Sequence, residues 1–322
     1  MSRIDGMLRW RMESERTAWQ RYGWLLRWLG TAAGIAYIAT LIDLEDVKVA
    51  FGKISLTAWL VAIALVGLNV VVGAARWRAV LSAYGALTRP DLWRATQLYF
   101  ISFFYNNYLP GAVAGDVVRG VVTRDVFGER GATAGLAVVL VERALGLFGV
   151  FLLLALGLVA AGGTIDTGSL WLWSALGIVG SFALVLALPF ARRLGRFLPR
   201  KLRTIAERVP ALSSTSAFIG AAMLSVLTQV CIALAGYVLL HAIEPRVDIG
   251  SSLLIVPLAA ATTFLPITVG GAGAREAVYI TLGASLFQMA RADALAASLA
   301  LWIAHLINGA IGGIVQLTSR SR

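Results

Sequence analysis

Residues 106–119 read NNYLPGAVAGDVVR, and they interrupt an apolar run that is otherwise suited to a helix. Pro110 removes a backbone donor and clashes with the preceding turn, while Gly111 and Gly115 lower helix propensity further. Asp116 and Arg119 follow three residues apart, a spacing that puts both on one helix face. Whether this stretch crosses a membrane or turns back inside one decides the fold.

The rest of the chain makes the membrane itself plain. Of 322 residues, 59% are hydrophobic and only 14% charged, with a mean hydropathy of +0.80. Soluble domains carry roughly a quarter charged residues. Several apolar runs reach the ~20 residues needed to span a hydrocarbon core of about 30 Å. The expected class is an all-α, multi-pass membrane protein. Its net charge of +11 falls in short loops between apolar runs, the pattern of the positive-inside rule, and not in a nucleic-acid footprint. The single cysteine, Cys231, lies in an apolar run, so it reads as a core residue without a disulfide. The first apolar run lacks a small-residue cleavage site before its acidic exit and reads as a retained anchor.

Threading the chain by loop charge gives a definite topology. Residues 1–23 hold Arg3, Arg9, Arg11, Arg16 and Arg21 among apolar residues; they read as a cytoplasmic interfacial helix or a disordered basic tail. Residues 24–318 form one transmembrane domain, and 319–322 a basic cytoplasmic tail. A first span over about 24–41 exits into Asp43, Glu45 and Asp46, outside. A second, about 56–75, returns to Arg76, Arg78, Arg89 and Arg94, inside. If the next run, 95–109, also crossed, two arginine-bearing loops would lie on opposite faces. A re-entrant hairpin from the cytoplasm removes the conflict. Spans over 131–161, 170–190 and 214–241 follow, the middle one ending at Arg192, Arg193, Arg196, Arg200, Lys201, Arg203 and Arg208. A final span, 295–317, ends inside only if 251–290 is a second hairpin, entered from outside. The expectation is six full spans, two opposed hairpins and both termini in the cytoplasm.

An internal repeat supports the hairpins. Pro110, Gly115 and Arg119 recur as Pro266, Gly271 and Arg275, with the same offsets of five and nine residues. Inverted repeats with broken helices that meet near the midplane are a transporter architecture. Gly270 and Gly273 extend the second break.

Ionisable groups within membrane segments are costly and mark functional sites by default. This chain has Asp116 with Arg119, Glu142 with Arg143, and Arg275 with Glu276. The last two couples are adjacent in sequence and diverge around a helix, so their partners are expected on other segments. Three arginines and three acids sum to zero. Ion-pair glue between helices is the bland explanation, but glue does not require breakers beside the charges. Unwound turns expose N–H groups that attract anions, and arginine matches phosphate with a two-pronged fork. The pattern points to a phosphate-bearing ligand.

Other polar positions carry less. Asn106, Asn107 and Tyr108 either line a polar cavity or cap exposed backbone. Gln229, His305 and Asn308 read as interhelical hydrogen bonders. His241 sits at a span end, and the tryptophans mostly flank spans as interfacial anchors. "GGAGA" lacks the strand and lysine of a nucleotide loop. Neither a metal-ligand spacing nor a nucleophile–base constellation occurs, so no cofactor and no metal are expected.

The three segments NNYLPGAVAGDVVR, VERALGL and LPITVGGAGAREA resemble the signatures of the lysylphosphatidylglycerol synthase transmembrane, or flippase-like, family of bacteria and archaea. The resemblance extends through nearly the whole chain in segment number and order. That family includes the membrane half of multiple peptide resistance factors, which translocate aminoacylated phosphatidylglycerol, and stand-alone members linked to polyprenyl-phosphate sugars or hopanoids. By resemblance, Asp116, Arg119, Glu142, Arg143, Arg275 and Glu276 occupy the family's polar positions. The chain stops four residues after Thr318, where a synthase would carry its aminoacyl-transferase domain, so lysyl-lipid synthesis is not expected of it.

The leading expectation is a flippase of the bacterial inner membrane whose partner is a lipid with an anionic headgroup. Arg119, Arg143 and Arg275 would hold the phosphate, and Asp116 and Glu276 would balance them when the site is empty. Without an ATP-binding motif, movement is passive or ion-coupled. The alternative is a non-transporting subunit or scaffold for a glycosyltransferase or other lipid-synthesising enzyme. An integral-membrane lipid enzyme, using Glu142 or His305 for proton transfer, is a third reading.

Overall fold

The computed structural model describes residues 18–109, 114–122, 124–160, 168–187, 190–197, 199, 203, 207, 209–263 and 271–319. Among them the regular structure is entirely helical. The principal helices are α1 (Ala18–Leu41), α2 (Leu44–Gly52), α3 (Leu56–Ala83), α4 (Leu92–Tyr108), α5 (Ala114–Val122) and α6 (Gly131–Ala160). They continue with α7 (Gly168–Ala187), α8 (Thr215–Ile243), α9 (Ile249–Thr262), α10 (Ala274–Phe287) and α11 (Arg291–Ser319). The expected breaks at Pro110, Pro266 and Gly270, most of the segment 1–23 and residues 320–322 of the tail lie outside the described residues.

Four helices are long and apolar enough to cross a membrane: Leu56–Ala83, Ala134–Ala160, Thr215–Ile243 and Arg291–Ser319. They coincide with four of the expected spans. The expected spans 24–41 and 170–190 fall on α1 and α7, whose described apolar stretches are the shorter Thr31–Thr40 and Ser174–Ala187.

Helix starts follow the sequence closely because orphan N–H groups need acceptors. Ser55 accepts from Ala58 N–H, Asp91 from Arg94 N–H, Ser214 from Ala217 N–H and Asp248 from Ser251 N–H. Asp43 does the same for Glu45 N–H, so the acidic segment after the first span is the start of helix α2. Its acids complement the helix dipole.

A correction concerns α3. It continues beyond residue 75 to Ala83, so Arg76 and Arg78 are helical, not loop, residues. The cause is packing: Ala74, Trp77, Leu81 and Val80 carry the buried stripe onward at helical spacing.

Ser213 and Ser214 donate backbone N–H bonds to Ala83 O at 2.7 and 3.2 Å, so α8 begins where α3 ends and the two pack antiparallel. Buried side chains form two apolar cores. One joins the first half of α3 with α2, α9, α10 and α11 around Leu239, Leu254 and Tyr279. The other surrounds Trp77, Tyr84 and Leu145. Helices α3, α6 and α8 run through both.

The short helices pack as two pairs, α4 on α5 and α9 on α10. At 17, 9, 14 and 14 residues they rise about 26, 14, 21 and 21 Å, each less than a 30 Å core. Leu87, before α4, donates its N–H to Val126 O, after α5, at 2.9 Å. Arg246, before α9, donates from Nη2 to the carbonyl of Phe287, at the end of α10, at 2.8 Å. The first pair therefore opens and closes beside the Thr215 end of α8, and the second beside its Ile243 end.

Candidate functional site

The polar centre is built on α4. Tyr99, Ser102 and Asn106 stand three and four residues apart, so they share one face. Against that face lies the first turn of α5. A Cβ on Gly115 would sit 1.9 Å from Ser102 O, so the two backbones touch only because the residue is glycine. Ser102 Oγ donates to Gly115 O, and Asn106 Oδ1 accepts from Gly115 N–H at 2.9 Å. These bonds fix the position of Asp116 one residue later, to which Asn106 Nδ2 also points at 3.5 Å.

Asp116 then meets two arginines. Arg119 Nη2 donates to Oδ1 at 2.8 Å, and Arg143 of α6 donates through Nε to Oδ2 at 2.6 Å. Glu142, beside Arg143 in sequence, faces another way, as expected. Its Oε1 accepts from Arg76 Nη2 at 2.8 Å and from Tyr99 OH at 2.9 Å. Its Oε2 lies 2.9 Å from Arg119 Nη1, an ion pair without hydrogen-bond alignment. Arg76 also reaches Tyr99 OH and Thr228 Oγ1 of α8. The Arg119 guanidinium lies over the Tyr99 ring at 4.3 Å and near Trp77 at 5.2 Å. Five helices, α3, α4, α5, α6 and α8, thus contribute side chains to one network.

Arg76 is the residue that sequence reasoning missed, because it was counted as a loop charge. The signal was present: Trp77, Val80 and Leu81 continue the helical period past it. Its inclusion changes the arithmetic. Among the described residues, Arg76, Arg119 and Arg143 face Asp116 and Glu142, three positive groups against two negative, where the sequence reading expected balance over the whole site. Arg143 is the accessible member. Its side chain is 33% exposed, against 4% for Arg119. Glu142 stands 11 residues into α6, roughly 16 Å along its axis, or about half of a 30 Å hydrocarbon core.

The second charged couple is organised differently. Gly271 and Gly273 adopt φ of +80° and +86°, which only glycine tolerates well, and Gly273 packs against Gly34 of α1. Glu276 Oε2 turns back to accept from Gly273 N–H at 2.7 Å, capping α10. That turn brings the carboxylate within reach of Arg275, which pairs with it. The two charges therefore pair with each other, which corrects the expectation that their charge partners would come from other segments. Ser298 of α11 adds a donor at 3.4 Å, and Arg275 lies 5.9 Å from the Trp302 ring centre. This couple is neutral.

Helix α4 stands between the two charged groups. Phe103, on its other side, stacks on His305 of α11 at 5.7 Å. Asn107 belongs to that side as well: it bonds back to Phe103 O at 2.8 Å and lies against Gly309. It is thus not brought to the Asp116 network, because one residue turns a helix by about 100°. Gln229 donates to Gly146 O and Asn308 to Ile63 O, both interhelical as expected, whereas His305 bonds within its own helix to Leu301 O. Cys231 is buried. Among the described residues no group of acids, histidines and cysteine could hold a metal.

A helical membrane protein with an arginine-rich polar network inside its bundle is the class that this fold and site define. Residues 25–313 match the family model for the lysylphosphatidylglycerol synthase TM region, and the chain belongs to that family. It is thereby a membrane domain related to lipid modification or transport. No curated protein matches the chain.

Proposed function

We propose that this protein is a non-enzymatic flippase that moves a phosphate-bearing lipid, such as a phospholipid or a polyprenyl-phosphate conjugate, across the bacterial inner membrane. The observation that carries the reading is the convergence of three arginines, Arg76, Arg119 and Arg143, in one network inside the bundle, with Arg143 33% exposed. A headgroup phosphate would take the place of Asp116 as the partner of Arg143, matching its two-pronged fork. The tails would stay in lipid.

In this reading α4–α5 and α9–α10 are re-entrant hairpins, entered from opposite faces and flanked by six full spans. The face with Arg89, Arg94 and Arg193 is cytoplasmic by the positive-inside rule, and both termini lie there. Support comes from the short rise of the four hairpin helices and from the two bonds that close each pair at opposite ends of α8.

The test is a vesicle assay with purified protein and a fluorescent anionic phospholipid. Wild type should exchange the lipid between leaflets, and Arg143→Gln should slow exchange at least tenfold while lowering the unfolding temperature by no more than a few degrees. Equal rates for the two proteins would sink the proposal.

A further inference from the structure

We propose a second lipid site, apart from the Asp116 network, that holds one anionic phospholipid in the leaflet next to the arginine-rich end of the bundle. Its apolar half is a groove between α6, α7 and α8 with a volume of about 490 Å³. Phe148, Phe182, Phe190, Leu212, Phe218 and Met223 line it. Along α8 the groove runs from Thr215 to Val226, roughly 16 Å at 1.5 Å per residue. That equals about half of a 30 Å hydrocarbon core, the depth of one acyl chain in one leaflet.

The polar half is the short helical stretch after α7, Ala191–Leu194 continued by Gly195–Phe197. Phe190, which precedes it, is a groove wall, so Arg193 stands about one helical turn beyond the mouth. In sequence, the stretch from Phe190 to Leu212 carries seven basic residues, Arg192, Arg193, Arg196, Arg200, Lys201, Arg203 and Arg208, against one acid, Glu207. Glu207 is taken by Arg203 at 2.7 Å. Arg193 and Arg196 are exposed, and among the described residues no carboxylate pairs with either. Phe197 is 74% exposed and Phe190 53%, and Arg196 stacks on the Phe197 ring at 4.7 Å. Exposed aromatics interleaved with arginines are the composition of a segment that lies at a headgroup layer. Charge and shape select the same ligand: a chain for the groove and a phosphate for the arginines above it. A zwitterionic lipid would fill the groove but would be held less strongly by the segment.

This site stands whether or not the protein translocates lipid, and its test measures occupancy alone. Full-length protein is reconstituted in phosphatidylcholine vesicles with a trace of phosphatidylglycerol that carries a photoreactive group at its acyl end. The same tail on phosphatidylcholine serves as the second probe. Cross-linked peptides are mapped by mass spectrometry. The phosphatidylglycerol probe should label residues 212–226 severalfold more than the phosphatidylcholine probe. Arg193→Gln with Arg196→Gln, both at exposed positions, should lower it to the phosphatidylcholine level, and Ala222→Phe in the groove should reduce labelling by both probes. Equal labelling of wild type by the two probes, or labelling indifferent to the arginine pair, overturns the proposal.

Discussion

Arg76 of α3 and Glu142 of α6, 66 residues apart in sequence, meet at 2.8 Å with side chains only 10% and 2% exposed. Glu142 is the only carboxylate that Arg76 meets among the described residues, whereas Glu142 also has Arg119 Nη1 at 2.9 Å. Removal of one partner from a buried pair costs about 3–5 kcal/mol, because the survivor is left uncompensated. Glu142→Gln should lower stability by that order in detergent unfolding experiments, and Arg76→Gln, which leaves Glu142 paired with Arg119, by less. The double variant should lose less than the sum, with a coupling of about 0.5–3 kcal/mol. Additive losses would show that the two groups do not depend on one another.

The same network separates a structural arginine from an accessible one. Arg119 is 4% exposed, lies over the Tyr99 ring and contacts both Asp116 and Glu142. Arg119→Gln should therefore cost roughly 3 kcal/mol or more in stability and abolish lipid movement as a consequence. Arg143, 33% exposed, is less enclosed by the protein, so Arg143→Gln should cost less, about 1 kcal/mol. Paired unfolding and vesicle-exchange measurements distinguish them. Loss of exchange together with stability in both variants would assign Arg143 a structural role instead.

Two glycines make a contrast for hairpin packing. At Gly115 an added Cβ would lie 1.9 Å from Ser102 O, whereas at Gly180 in α7 nothing lies within 4 Å. Gly115→Ala should force α5 off α4 and destabilise by several kcal/mol, on the scale of a severe overpacking defect. Gly180→Ala should be neutral or stabilise by up to about 1 kcal/mol through helix propensity. Unfolding temperatures of the two variants check this directly; similar values would mean that α5 is not seated on α4 as described.

How far the sequence reaches depends on the range of the interaction involved. The long helices α6, α8 and α11 were legible because length, hydropathy and caps are local properties. The pairing of two helix couples was legible by a less direct route, from the parity of arginine-bearing loops around Pro110 and Pro266. Arg76 was not legible as a site residue. A charge reads as a loop marker unless Glu142 and Tyr99, brought by other helices, neutralise it. The phase of Asn106 against Asn107 also escaped, since a broken helix leaves its rotation undetermined until Gly115 docks on it. Arg275 and Glu276 were assigned distant partners because their mutual contact depends on the positive φ of Gly273 and on Glu276 turning back to cap it.

The opposed arrangement of the hairpins predicts sidedness at single residues. Leu87 precedes α4 and is 76% exposed; Ala290 follows α10 and is exposed. Their loops are tied to opposite ends of α8 through Leu87 N–H to Val126 O and Arg246 to Phe287 O. The one native thiol, Cys231, is buried, so it contributes little background labelling. In intact cells, a membrane-impermeant maleimide added from outside should modify Ala290→Cys and spare Leu87→Cys. After the membrane is opened, both should react. If both positions label from the same side, the two pairs do not enter from opposite faces, and the inverted arrangement of Arg119 and Arg275 is wrong. If Leu87→Cys alone labels from outside, the hairpins are opposed but the positive-inside assignment of the arginine-rich face is reversed.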